Sequence, residues 1–149
     1  MTIPYTFASS TSTIPLANLD SNFTYLNNRT IQTFWCERTS FGTATNVMSY
    51  GNGLAAGKGL LMPYSGKLLY ATLIGYTVTG TITVQAYLNG TANSSYQLTA
   101  TGTGGDARQV QDFSSSPLSF SAGDTLGWYQ AAVPSAAIGY NVCYVIMYN

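Results

Sequence analysis

Histidine is absent from this chain of 149 residues, and charge is scarce. Five basic residues (Arg29, Arg38, Lys58, Lys67, Arg108) balance five acidic ones (Asp20, Glu37, Asp106, Asp112, Asp124), so 7% of the chain is charged against about 25% in an ordinary soluble domain. Without histidine, the most frequent general acid–base and the most frequent transition-metal ligand are both missing. A formal charge of zero leaves no electrostatic footprint for nucleic acid or an anionic membrane. No apolar run approaches the ~18 residues of a membrane-spanning helix, and Met1-Thr2-Ile3-Pro4 opens without a basic segment and apolar run, so the expectation is a soluble product made in the cytoplasm. The two cysteines, Cys36 and Cys143, lack the close spacing of a metal or redox motif. Buried free thiols are the default; the alternative is a disulfide between an early and a late strand, which needs an oxidising compartment.

What remains must cover the surface with hydroxyls, amides and glycine, and near-neutral chains of this kind lean toward association. The length suits one compact domain with an appendage. One stretch, Thr13 to Leu26, carries apolar residues at helical spacing: Leu16, Leu19, Phe23 and Leu26 share a face, with Pro15 suited to a first-turn position and Asp20 read as lying early enough to favour the helix dipole. A helix of about 13 residues is marginal alone, so its stripe must pack either on its own domain or on a partner. Before it, residues 1–12 combine Pro4, Tyr5, Phe7 and a Ser/Thr run, which cannot form a core and read as an extended arm.

Pro4-Tyr5-Thr6-Phe7-Ala8, then Ile14-Pro15-Leu16 and Leu19-Asp20-Ser21-Asn22-Phe23, resemble the N-terminal segment of many tailed-bacteriophage tail-fibre and related virion proteins. The pattern departs at Ala17, where those proteins often carry a serine able to cap the helix. The resemblance implies that residues 1–32 form the attachment end and residues 33–149 the displayed end, with Leu16, Leu19, Phe23 and Leu26 as the anchoring stripe.

Everything after the helix reads as β. Thr33 to Arg38 has strand propensity, Val47 to Tyr50 is a weaker candidate, and Gly51 to Gly59 is a glycine-rich loop. Gly57-Lys58 is not a phosphate loop, because Asn52 and Gly59 stand where glycine and Ser or Thr are required. Lys67 to Thr79 is a long strand candidate. Thr81 to Leu88 alternates cleanly, Ile82, Val84, Ala86 and Leu88 against Thr81, Thr83, Gln85 and Tyr87, before the Asn89-Gly90 hairpin signal. Tyr96 to Thr101 returns, Gly102 to Asp106 reads as a mobile loop, and Val110 to Phe113, Leu118 to Phe120, Thr125 to Val133 and Tyr140 to Tyr148 supply further strands. The last is apolar on both faces, as a central or interfacial strand would be. About eight strands without a second helix indicate an antiparallel β-sandwich, and the spacing suits a jelly roll. Pro117 to Leu126 also resembles the entry to a late strand in jelly rolls of the tumour-necrosis-factor and C1q type, which implies a homotrimer. The first strand, near Cys36, is expected beside the last, near Cys143.

Candidates for chemistry are few. Asp106 and Asp112 are a conceivable glycosidase pair, and Asp106 a conceivable calcium ligand, but a solvated turn role suits both better; Asp124 after Gly123 is expected to bind its own turn. The Asn-x-Ser/Thr triplets at Asn22, Asn28, Asn89 and Asn93 have no secretory route. The twelve tyrosines, with Trp35 and Trp128, are mainly strand residues for a core or seam, with a minority suited to contacting a cell-surface glycan. The resulting expectation is a non-enzymatic bacteriophage structural protein without cofactor or metal, assembled in the host cytoplasm into the virion and bound to other virion proteins. Its primary form is a trimeric tail fibre with Gly104, Asp106, Arg108 and Ser135 on exposed receptor-facing loops; a capsid decoration or head-fibre protein is the alternative.

Overall fold

A computed structural model describes residues 15–27, 31–38, 48 and 59–148. Among the described residues, one helix, α1 (Leu16–Asn27), precedes seven strands: β1 (Ile31–Arg38), β2 (Leu60–Leu61), β3 (Gly66–Leu88), β4 (Thr91–Asp112), β5 (Leu118–Phe120), β6 (Thr125–Ala132) and β7 (Gly139–Tyr148). The pro-Leu boundary starts the helix, since the Pro15 carbonyl accepts from the Asn18 and Leu19 amides at 3.0 and 3.4 Å. Asp20 lies beyond the first turn, which holds no acidic residue, so its expected support from the dipole falls away.

The long strands β3 and β4 organise everything else. β3 runs 23 residues where the sequence suggests two strands, because it turns at Tyr76–Gly80 without leaving the ladder. Thr77 (φ 52°) and Gly80 (φ 99°) take left-handed conformations there, a cost of order 1–3 kcal/mol at a threonine. Before the bend, β3 pairs with β7 on one side and with Ala107–Asp112 of β4 on the other; after it, with β6 and with Gln97–Thr103 of β4. β1 adds to β7, with Trp35 opposite Cys143 and Cys36 opposite Val142, and β2 adds to β6.

Counting the halves of β3 and β4 separately gives two four-stranded sheets. Sheet I has the order β1, β7, first half of β3, second half of β4; sheet II has β2, β6, second half of β3, first half of β4. The chain passes between sheets at β1 to β2, at β2 to β3, within β3, within β4, at β5 to β6 and at β6 to β7, which is the double Greek key of a jelly roll. The antiparallel β-sandwich is therefore the fold, with β5 capping the start of β3.

Sheet-facing alternation fills the interior. Ile82, Val84 and Ala86 on β3, Leu126, Trp128 and Gln130 on β6, and Tyr140, Val142, Tyr144 and Ile146 on β7 are all buried. A register shift between Leu68 and Tyr70 moves the inward phase from Leu68 to Ala71 and Leu73. Leu88-Asn89-Gly90-Thr91 is a tight hairpin with positive φ at both central residues, 49° and 88°, as an Asn-Gly turn requires.

Two expectations are corrected. Gly102 to Asp106 is not a loop: Gly102, Thr103 and Gly105 pair with Gly80, Thr79 and Val78, because glycine lets β4 follow the bend of β3 at close quarters. A Cβ on Gly102 would stand 2.6 Å from the Val78 carbonyl oxygen. Val110 to Phe113 is not a separate strand, since β4 runs unbroken to Asp112. Residues 1–14, and most of the Val47–Tyr50 and Gly51–Gly59 segments, lie outside the described residues; Met48 is buried, and its amide donates to the Trp128 carbonyl at 2.8 Å.

Candidate interaction surfaces

Cys36 and Cys143 are both free thiols. They occupy adjacent rungs of the β1–β7 ladder but opposite faces, Cys36 inside with Val142 and Cys143 outside with Trp35, so alternation keeps the sulfurs from bonding. Burial pushes the Cys36 thiol far above its ordinary range, which leaves it protonated and inert.

Acid–base candidates do not converge. Asp106 and Asp112 stand six residues apart on one strand, roughly 20 Å at strand rise, too far for either carboxylate geometry of glycoside hydrolysis. The Asp106 carboxylate instead meets the Arg108 guanidinium at 3.4 Å, both exposed. Hydrogen bonds from Ser114 hold Asp112 below the usual carboxylate range. Among the described residues no three Cys, Asp or Glu side chains gather as a metal site. Asp124 serves its turn: it accepts from the Asn89 side chain at 2.8 Å and the Ser121 amide at 2.7 Å, and these bonds lower its pKa, the Asn89 bond most. Asn89 also accepts from the Thr125 amide at 2.9 Å, which ties the hairpin tip to β6.

The residues expected on receptor-facing loops are exposed, but only Ser135 lies between strands. Ser135 donates through its hydroxyl to the Thr79 carbonyl at 2.8 Å, and Gly104 sits between Thr103 and Gly105, which pair with Thr79 and Val78. Gly104, Asp106 and Ser135 therefore gather at the end of the sandwich where β3 and β4 bend; Arg108, opposite Ile74, lies further along sheet I.

The residues expected to form an anchoring stripe are exposed where their side chains are described. Leu16, Leu19 and Phe23 are exposed, whereas Asn22 is 8% exposed and Asn18 half-buried. Leu16, Leu19 and Phe23 thus face solvent, and the shielded positions of the helix are the polar Asn18 and Asn22. The Leu26 side chain lies outside what is described.

The outward faces of the two sheets differ in kind. Rows across sheet I read Trp35, Cys143, Thr72, Val110, then Thr33, Val145, Tyr70, Asp112, with Glu37, Asn141, Ile74 and Arg108 at the rim. Trp35 is 54% exposed, and Ile31, Tyr70, Tyr76 and Val110 are exposed with it. On sheet II the rows are hydroxyl and amide: Thr81 with Thr101 at 3.0 Å, Thr83 with Thr99 at 3.2 Å, and Gln85 donating to Gln97 at 3.3 Å, next to the stacked Tyr87 and Tyr129 rings at 6.0 Å. Strand alternation makes the Thr81, Thr83, Gln85 face legible, and the apolar residues at both parities of β7 already point to an interfacial face; the extension of that face to Trp35, Tyr70 and Val110 follows only from the strand order.

No protein-family model and no curated protein matches the sequence. Among solved structures, the chain is similar to one in the capsid asymmetric unit of cyanophage Pam1, at 13% identity over 81% of this chain and 85% of that one, with a TM-score of 0.43. It is also similar to a chain of the virus-like particle of the extra small virus of the giant freshwater prawn Macrobrachium rosenbergii, at 10% identity over 99% of this chain and 89% of that one, with a TM-score of 0.40. At such identities the likeness concerns strand arrangement, and the functional argument rests on this chain's own surfaces.

Proposed function

We propose that this chain is a structural subunit of a virion that is attached through its N-terminal arm and helix and associates with copies of itself through the outward face of sheet I. The observation that carries this reading is the contrast between the two sheet faces. An outward face that exposes Trp35 on the edge strand β1 and Tyr70 and Val110 further across the sheet, with charged groups confined to Asp112 and the rim, is what an interface needs, while the opposite face is covered with neutral polar groups suited to water or display. The outward stripe of Leu16, Leu19 and Phe23 supports attachment to a partner, because a helix that packed only on its own domain would turn that stripe inward.

Between the two places on a virion, the capsid surface suits this geometry better than the tail fibre. An apolar face spread over a whole sheet covers a neighbouring surface, whereas a fibre gathers its apolar residues around one axis; the jelly roll is also a recurrent fold of viral shells. The trimer implied by the tumour-necrosis-factor resemblance remains the assembly unit of the proposal, and a neutral host glycan is the ligand that sheet II, with its Thr/Gln rows and Tyr87–Tyr129 pair, would accept. Cryo-electron microscopy of particles that contain the chain tests the reading. Density for the sandwich on the capsid surface, with α1 seated on another protein, is the expected result; density on the tail would restore the fibre assignment, and absence from purified particles would refute a virion role.

A further inference from the structure

The two halves of β4 are the edges of the two sheets, and among the described residues each is paired with β3 alone. An open edge exposes a row of unpaired N–H and C=O groups, which proteins normally blunt with charge, proline or bulges. The second half of β4 is defended in this way. It carries Asp106, Arg108 and Asp112, and the Gln109 and Gln111 side-chain amides donate to the edge carbonyls of Val110 and Asp112 at 3.1 and 3.5 Å.

The first half is not. From Thr91 to Gly105 there is neither a charged residue nor a proline. After the irregularity that leaves Ser94, Ser95 and Tyr96 unpaired, Gln97–Thr103 runs in unbroken register against Thr79–Gln85. Beside this segment lies a groove of about 440 Å³, with Ser95, Gln97 and Thr99 on one wall and Gln109, Gln111 and Phe113 on the other, none of them charged. The same strand thus protects one half of its edge and leaves the other straight, neutral and accessible.

We propose that Gln97–Thr103 is a pairing edge for the same segment of a second copy of this chain, set antiparallel across a two-fold axis near Ala100, so that two copies of sheet II join into one continuous sheet. Antiparallel pairing of identical segments is self-complementary: each residue meets its counterpart reciprocally. With the axis at Ala100, Thr99 of one copy faces Thr101 of the other. The hydroxyl rows that already link Thr83 to Thr99 and Thr81 to Thr101 then continue across the junction, as cross-strand Thr–Thr pairs do within sheets. An uncharged strand also meets no like-charge repulsion from its own copy. This contact lies on a different surface from the sheet I face that carries Trp35, and it stands whether or not the chain belongs to a virion.

The test uses the full chain and two substituted forms, Thr99→Lys/Thr101→Lys and Thr99→Glu/Thr101→Glu, at positions whose side chains are exposed. Each form places like charges opposite one another across the axis, so its self-association is expected to weaken at least tenfold by sedimentation equilibrium; an equimolar mixture should recover it through Lys–Glu pairing. Hydrogen exchange at residues 97–103 of the unsubstituted chain should slow as concentration rises. Association of both charged forms at unsubstituted strength, no recovery in the mixture, or exchange independent of concentration would each overturn the proposal. Trp35→Ala separates the two interfaces: it should leave the concentration-dependent protection of 97–103 in place, and loss of that protection would show that no edge contact exists apart from the sheet I face.

Discussion

Replacing Trp35 by alanine tests whether the outward face of sheet I is an interface. The ring is 54% exposed in the single chain, and a tryptophan offers up to ~250 Å², so roughly 135 Å² is available to a neighbouring copy. At ~25 cal/mol per Å² this is about 3 kcal/mol, which weakens association more than a hundredfold if the partner covers the ring completely; a central tryptophan of an interface commonly reaches at least ~2 kcal/mol. The inward part of the ring packs on the fold, so the substitution also lowers the stability of the single chain, and the dissociation constant must be measured well below the unfolding midpoint. Trp128 supplies the control, because it is fully buried and its emission reports an intact interior. Sedimentation equilibrium over a concentration series then isolates the association term. A dissociation constant unchanged within a factor of three, with Trp128 emission native, would refute the assignment of this face.

Gly102→Ala should destabilise by about 1–3 kcal/mol, as overpacking does, because its Cβ would meet the Val78 backbone, whereas Gly105→Ala, with open space around it, should fall within about 0.5 kcal/mol of the parent by thermal unfolding. A water-soluble thiol reagent should modify Cys143 in the dissociated native chain and spare Cys36 until unfolding; modification of Cys36 at the same rate would contradict its burial. Asp112 and Asp124 have folded-state pKa values below the ordinary 3.8. Their contribution to stability is therefore complete above that value and is lost as pH falls through the depressed folded-state values; Asn89→Ala should flatten this acid limb in a urea titration, and an unaltered limb would remove the Asn89–Asp124 bond from the account.

Alternation alone carried much of the sandwich. Ile82, Val84 and Ala86, Leu126 and Trp128, and Val142, Tyr144 and Ile146 all face inward as their period of two requires, and Asn89-Gly90 makes the turn its residues favour. Adjacency of the Cys36 and Cys143 strands followed from the way jelly-roll ends meet. What alternation cannot express is a strand that turns a corner without leaving its ladder. Gly102-Thr103-Gly104-Gly105 reads as punctuation in one dimension, yet in three it is the only kind of segment that can stay paired while β3 bends beneath it, because Gly102 has no Cβ to strike the Val78 carbonyl. That bend also brings the two halves of β4 to corresponding edges of different sheets. The two halves of one strand therefore differ in protection, and the placement of Asp106, Arg108 and Asp112 on one side of the glycines, with no charged residue of β4 on the other, becomes meaningful only once the corner is known. A uniformly polar strand would have been read as solvated along its whole length; the asymmetry across Gly102–Gly105 is what distinguishes an edge kept from pairing from an edge left available to pair.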